Sequence, residues 1–246
     1  MCLTIFLCFF KKNKNTYNKN IFKSPKILNI LICLVIGVLS LYLLAPTVNF
    51  AQYGLTRIGM QPSDLPIELN SVGNLIAGLF IFGILPAVCE ELLFRGIVFT
   101  SLKTYSTSFA IIMSSVFFAL FHQSAFQFVY PILYGLLLAL VMNKFNNIWY
   151  CIFIHCANNI LIVVNNYISN SSSSTFAPTW SLGIIALVFF ALFVTILVLF
   201  NKSKKLTVTS KTEFISDKNQ KTFPIWLVLT FMTIIWIILF LASLLG

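Results

Sequence analysis

Charge is what this chain has least of. Only 9% of its 246 residues are charged, whereas 59% are hydrophobic, and mean hydropathy is +0.95. A soluble domain carries about 25% charged residues because its surface faces water. That excludes an ordinary soluble enzyme and makes lipid the solvent. Acidic residues are rarer still: Asp64, Glu68, Glu90, Glu91, Glu213 and Asp217 are all there are, and His122 and His155 are the only histidines. No aspartate falls in an apolar run, which removes paired-aspartate intramembrane proteolysis. HExxH is absent, which removes the usual zinc-protease helix, and no GxSG-like nucleophile motif occurs. The six cysteines include no CxxC pair and read as small hydrophobes.

What is present is a series of apolar runs. A span needs roughly 20 mostly apolar residues. Seven candidates lie near 27–48, 72–102, 107–124, 127–143, 148–164, 180–200 and 223–245. The expected fold is an all-α, polytopic transmembrane bundle of about seven spans, with its active site inside the membrane. Residues 1–26 read as a basic N-terminal interfacial segment and 27–246 as the transmembrane domain. The apolar start precedes its lysines, the reverse of a signal peptide.

The formal charge of +10 is a matter of location. Lysines cluster at 11–26 and 202–221, with Lys103 and Lys144 after the second and fourth spans. The opposite loops, 49–71 and 165–179, hold one Arg, one Asp and one Glu. This is the positive-inside distribution, and it predicts a multi-pass protein with a cytoplasmic N-terminus. The basic charge therefore calls for no nucleic-acid partner. An abundance of Lys, Asn, Ile and Phe fits an AT-rich bacterial genome and hence a bacterial plasma membrane.

Chemistry must come from polar groups at membrane depth, where ionisable side chains are costly and mark functional sites. Glu90 and Glu91 are the only acids in a span. Glu91 and Arg95 are spaced i,i+4 with the acid N-terminal, the favourable order for a helical ion pair. Glu90 lies about 100° round the helix and stays free, as suits a general base. His122 follows Phe118 by one turn, and His155 precedes Asn159 by one turn on the same face. Measured from the cytoplasmic span ends at about 1.5 Å per residue, Glu90, His122 and His155 lie at roughly 18, 23 and 11 Å. That spread leaves His122 as the strained member of a mid-membrane meeting. Each histidine and Asn158 or Asn159 could equally serve as an interhelical hydrogen bonder.

These residues resemble the CPBP (CAAX protease and bacteriocin-processing, or Abi) family of intramembrane proteases. Its motifs read EExxxR, FxxxH and HxxxN in that order. Here they are Glu90-Glu91-Leu92-Leu93-Phe94-Arg95, Phe118-Ala119-Leu120-Phe121-His122 and His155-Cys156-Ala157-Asn158-Asn159, within a core of about 75–165. The resemblance implies a CAAX prenyl protease-like endopeptidase acting on membrane-associated peptides. In it, Glu90 with His122 activates water, His155 and Asn159 donate to the oxyanion, and Glu91, Arg95 and Phe118 support the site. Prenylated substrates are not carried over, since bacterial members generally lack them. No cofactor is expected. A zinc-dependent alternative would use Glu90, His122 and His155, which could leave an open position, but Asn159 suits an oxyanion donor better than a ligand. A non-catalytic bacteriocin-immunity or partner-binding protein is the main rival. A proton-coupled transporter is the third, and the absence of inverted halves counts against it.

Overall fold

Regular structure begins beneath a short strap. The computed structural model describes residues 19–60 and 69–169, together with Ile184, Val188, Ala191, Leu192, Thr195 and Ile234. The expected sixth and seventh spans, apart from these six positions, and the segment 1–18 lie outside the described residues. A 3-10 turn at Lys19–Phe22 leads into α1 (Ile27–Arg57), α2 (Val72–Leu102), α3 (Thr107–Phe121), α4 (Val129–Phe145) and α5 (Ile148–Ser169). Among the described residues the secondary structure is all helical. By length and composition, α1, α2 and Ile148–Ile168 of α5 can each cross a membrane; α3 and α4 are apolar but shorter.

Local chemistry sets the ends. Ser71 and Ser106 cap α2 and α3, their hydroxyls accepting from Asn74 N and Phe109 N at 3.2 and 3.1 Å. Asn146 ends α4 in the left-handed region (φ 47°), and Asn147 Oδ1 accepts from Trp149 N at 3.0 Å to start α5. The first span runs past its expected end at residue 48 because Pro46 sits inside α1 without breaking it. Two wider, π-helical stretches, Leu79–Ile84 and Leu92–Phe99, flank the α-helical segment Leu85–Glu91 within α2. Such stretches occur frequently at functional sites.

α5 is the central element, packed against α1, α2 and α4, while α3 pairs with α4. Two glycines allow the closest crossings. A Cβ on Gly37 would sit 2.5 Å from the Ile154 carbonyl oxygen, so α1 meets α5 backbone to backbone beside His155. A Cβ on Gly135 would lie 3.1 Å from Ser115 Cα, where α4 crosses α3. Small residues at crossings are the membrane solution to helix packing. The strap is fixed to the α4–α5 turn: Asn147 Nδ2 donates to Lys23 O at 2.9 Å, and Lys26 N and Asn29 Nδ2 donate to Tyr150 Oη at 3.2 and 3.0 Å.

Polarity is turned inside out. Ile27, Leu28, Leu31, Val35 and Leu39 lie exposed along α1, whereas Ser40, Glu91, Arg95, Ser114, Ser115, His155 and Asn158 are buried. An apolar exterior around a polar interior is what a bilayer selects. This is a membrane protein.

One expectation is corrected. The third span was drawn to residue 124 with His122 inside it, but α3 ends at Phe121 and His122 caps it. At about 1.5 Å per residue, the 15-residue α3 and 17-residue α4 rise only about 22 and 25 Å, against a hydrocarbon core of about 30 Å. By that measure neither helix spans the core on its own. His122 sits at the turn that follows α3 rather than inside the helix.

Candidate active site

Glu91 is the hub. Its side chain is wholly buried, and Oε1 accepts from Arg95 Nη1 at 3.0 Å and from His155 Nδ1 at 2.8 Å. The first bond follows from the i,i+4 spacing on α2. The second joins α2 to α5 across 64 residues of sequence. Arg95, equally buried, donates from Nη2 to Gly135 O at 3.1 Å and so ties α2 to α4. The bare backbone of Gly135 serves both the helix crossing and this bond.

Glu90, the neighbouring carboxylate, takes no part in the arginine pair. Its Oε2 lies 4.0 Å from His155 Nε2, too far for a hydrogen bond but close enough for attraction. Glu90 retains 14% side-chain exposure against none for Glu91, so the partly open acid is the one not committed to structure. His155 thus stands between two carboxylates, one on each ring nitrogen.

His122 is oriented by its own helix, with Nδ1 2.9 Å from Phe118 O. A carbonyl and a carboxylate can only accept, so the bonded Nδ1 of each histidine carries a hydrogen. When either ring is neutral, its lone pair is therefore on Nε2. His122 also lies within electrostatic range of Glu90, His155 and Arg95. Gln123 turns the chain sharply just after it, with φ at 51°.

Phe118 holds these pieces apart and together. The Arg95 guanidinium carbon sits 4.6 Å from its ring centroid, and the His122 and His155 rings pack edgewise at 5.0 and 5.6 Å. A cation over a desolvated ring contributes about 2 kcal/mol. Asn159 follows His155 by one turn of α5, half-buried, with Oδ1 accepting from Asn158 Nδ2 at 3.4 Å. Asn158 itself is buried and accepts at Oδ1 from the Tyr130 hydroxyl.

The sequence-predicted residues Glu90, Glu91, Arg95, Phe118, His122 and His155 thus gather round one point, and Asn159 lies a turn beyond it. Sequence reasoning missed Tyr130, Tyr134 and the Glu91–His155 bond. Tyr134 packs edgewise on His155 at 5.7 Å and donates to Ile154 O at 2.9 Å. The available signal was two tyrosines at i,i+4 in an otherwise aliphatic helix.

Among the described residues, no group of three or more His, Cys, Asp or Glu is spaced to hold an ion, Glu90, His122 and His155 included.

Comparison with known proteins bears on the same stretch. Residues 72–161, from the start of α2 through Asn159, match the family model described as type II CAAX prenyl endopeptidase Rce1-like. Over this stretch the chain is similar to that CAAX-protease family. No curated protein and no solved structure gives a significant match. Arg95 and His155, the two residues bonded to Glu91, both lie within the matched stretch.

Proposed function

We propose that the chain is an intramembrane endopeptidase that hydrolyses peptide bonds of membrane-associated substrates with a water activated by Glu90. The observation that carries this reading is the pair of unlike glutamates about His155: Glu91 buried and doubly hydrogen-bonded, Glu90 partly open at 4.0 Å from Nε2. One acid builds the site and the other is left for chemistry.

Glu90 takes the proton of an attacking water, assisted by the Nε2 lone pair of His122, and returns it to the leaving nitrogen. As the carbonyl becomes tetrahedral, negative charge develops on its oxygen, and fixed donors aimed there supply the largest stabilisation. Asn159 donates from Nδ2. His155 donates from Nε2 while Nδ1–H stays on Glu91, which requires the ring to carry both protons. Membrane burial strengthens each of these interactions by excluding water.

The reading is tested in cells. Membrane peptidomes of cells carrying wild type and Glu90→Gln are expected to differ by peptides cut only in the wild type. Identical peptidomes, with the cellular phenotype of the protein kept by the variant, would instead favour a binding or immunity role.

Two further expectations attach to it. Turnover in detergent is expected to survive exhaustive chelation, because Asn159 suits an oxyanion donor better than a zinc ligand. One zinc per purified chain, with turnover restored only by its return, reverses that assignment. The chain is also placed in the cell membrane as a multi-pass protein with Lys23, Lys26, Lys103 and Lys144 on the cytoplasmic side. In support, the strap contacts and the short α2–α3 and α4–α5 turns bring all four lysines to one end of the bundle. Single cysteines at Ser172 and Ser210 of a Cys-free protein, labelled on intact cells, are expected to react only at position 172. Labelling at 210 alone sinks the orientation.

A further inference from the structure

Asn159 can act on a developing oxyanion only if its amide presents nitrogen rather than oxygen, and a free side-chain amide has no intrinsic preference between the two faces. Three polar side chains from two helices remove that freedom. The Tyr130 hydroxyl, on α4, donates to Asn158 Oδ1 on α5. Asn158 Nδ2 in turn donates to Asn159 Oδ1 at 3.4 Å. The Tyr130 hydroxyl starts the series as an O–H donor, and each asparagine after it accepts with its oxygen and leaves its nitrogen to donate, so the series has one direction and ends on the Asn159 NH₂. Hydrogen bonds arranged head to tail polarise one another.

The series is anchored at its origin. The Tyr130 ring stacks on Tyr134 with centroids 5.4 Å apart and planes 17° from parallel. Tyr134 is fully buried, bonded to Ile154 O, and packs against the His155 ring. The same tyrosine pair thus touches both residues assigned to the oxyanion: His155 through ring contact and Asn159 through Asn158.

We infer that Tyr130 is a positioning residue for the cleavage reaction, acting through Asn158 to fix Asn159 with its NH₂ group turned to the scissile carbonyl. The inference rests on the endopeptidase reading and extends it to a residue outside the three motifs. Tyr130 moves no proton in the reaction. Its hydroxyl keeps its hydrogen throughout, and what it supplies is orientation.

The decisive comparison uses full-length protein in detergent and a fluorogenic peptide built on a cleavage site found in the peptidome experiment. Tyr130→Phe keeps the ring and its stacking but loses the donor. Outer partners that orient metal ligands contribute about 10–100-fold, and an oxyanion donor held in the same way should depend on its partner to a like degree, so kcat should fall by that factor with KM and Tm little changed. Asn159→Ala should lose about 10²–10³ in kcat. The double variant Tyr130→Phe/Asn159→Ala should match Asn159→Ala, because a residue that acts only through Asn159 has nothing left to do. Losses that multiply, or a Tyr130→Phe enzyme with full kcat, overturn the positioning role while leaving the endopeptidase reading intact. An Asn159→Ala enzyme with full kcat overturns the oxyanion assignment and this inference together. Should Tyr130→Phe fold poorly, Asn158→Leu breaks the same series at its middle link and must give the same non-additive loss.

Discussion

Glu90→Gln is expected to abolish cleavage and leave the fold in place. The substitution keeps the shape of the side chain and its capacity to hydrogen-bond, but an amide takes no proton from water. General acid–base catalysis is ordinarily worth about 10²–10⁴-fold, and here the same group also returns the proton to the leaving nitrogen, so the loss should reach the upper end of that range or exceed it. Stability should hold because Glu90 makes no bond to Arg95, and its nearest approach to His155 is 4.0 Å. The hydrogen-bonded Glu91–Arg95 pair is left intact. Turnover of the fluorogenic peptide and the melting temperature in detergent, measured on the same preparation, decide the matter. A Glu90→Gln protein that still cuts at the wild-type rate removes the glutamate-base mechanism outright.

The contrast between the two glutamates was legible in sequence because charge is so rare here. In a helix of Leu, Ile and Phe, the i,i+4 spacing of Glu91 and Arg95 names a pair, and what is left over is Glu90. The extent of α2, 72–102, was equally plain, since apolar residues run on both sides of Glu90, Glu91 and Arg95. What could not be read was anything decided by tertiary contact. The bond from His155 to Glu91 joins residues 64 apart, and helical periodicity is silent at that range. Tyr130 and Asn158 each look like an isolated polar residue until α4 and α5 are packed. The place of His122 was misdrawn for a different reason. His122, Gln123 and Ser124 follow Phe121, and so short a polar run does not distinguish the end of a span from polar residues inside one, whereas the positive φ of Gln123 shows where the chain turns.

Glu91→Gln is expected to fail in the opposite way, chiefly by loss of folded protein. Glu91 and Arg95 are both wholly buried at 3.0 Å, and Arg95 has no water to fall back on. Neutralising the acid leaves a buried guanidinium with no countercharge, held only by neutral acceptors such as the Gly135 carbonyl and by the Phe118 ring. Breaking a buried pair by removing one member typically costs about 3–5 kcal/mol, against a total stability of about 5–15 kcal/mol for a folded protein. A large drop in melting temperature should follow. The same change weakens the hold on His155 Nδ1, so whatever folded protein remains should also turn over slowly. Because the cost is the orphaned charge rather than the pair itself, adding Arg95→Met to Glu91→Gln should recover part of the lost stability, since an apolar replacement of a buried pair is often neutral. It should recover no activity, as His155 still lacks its carboxylate. If Glu91→Gln melts at the wild-type temperature, or if Arg95→Met lowers the melting point of Glu91→Gln further, the pair is not what holds α2 against α4 and α5.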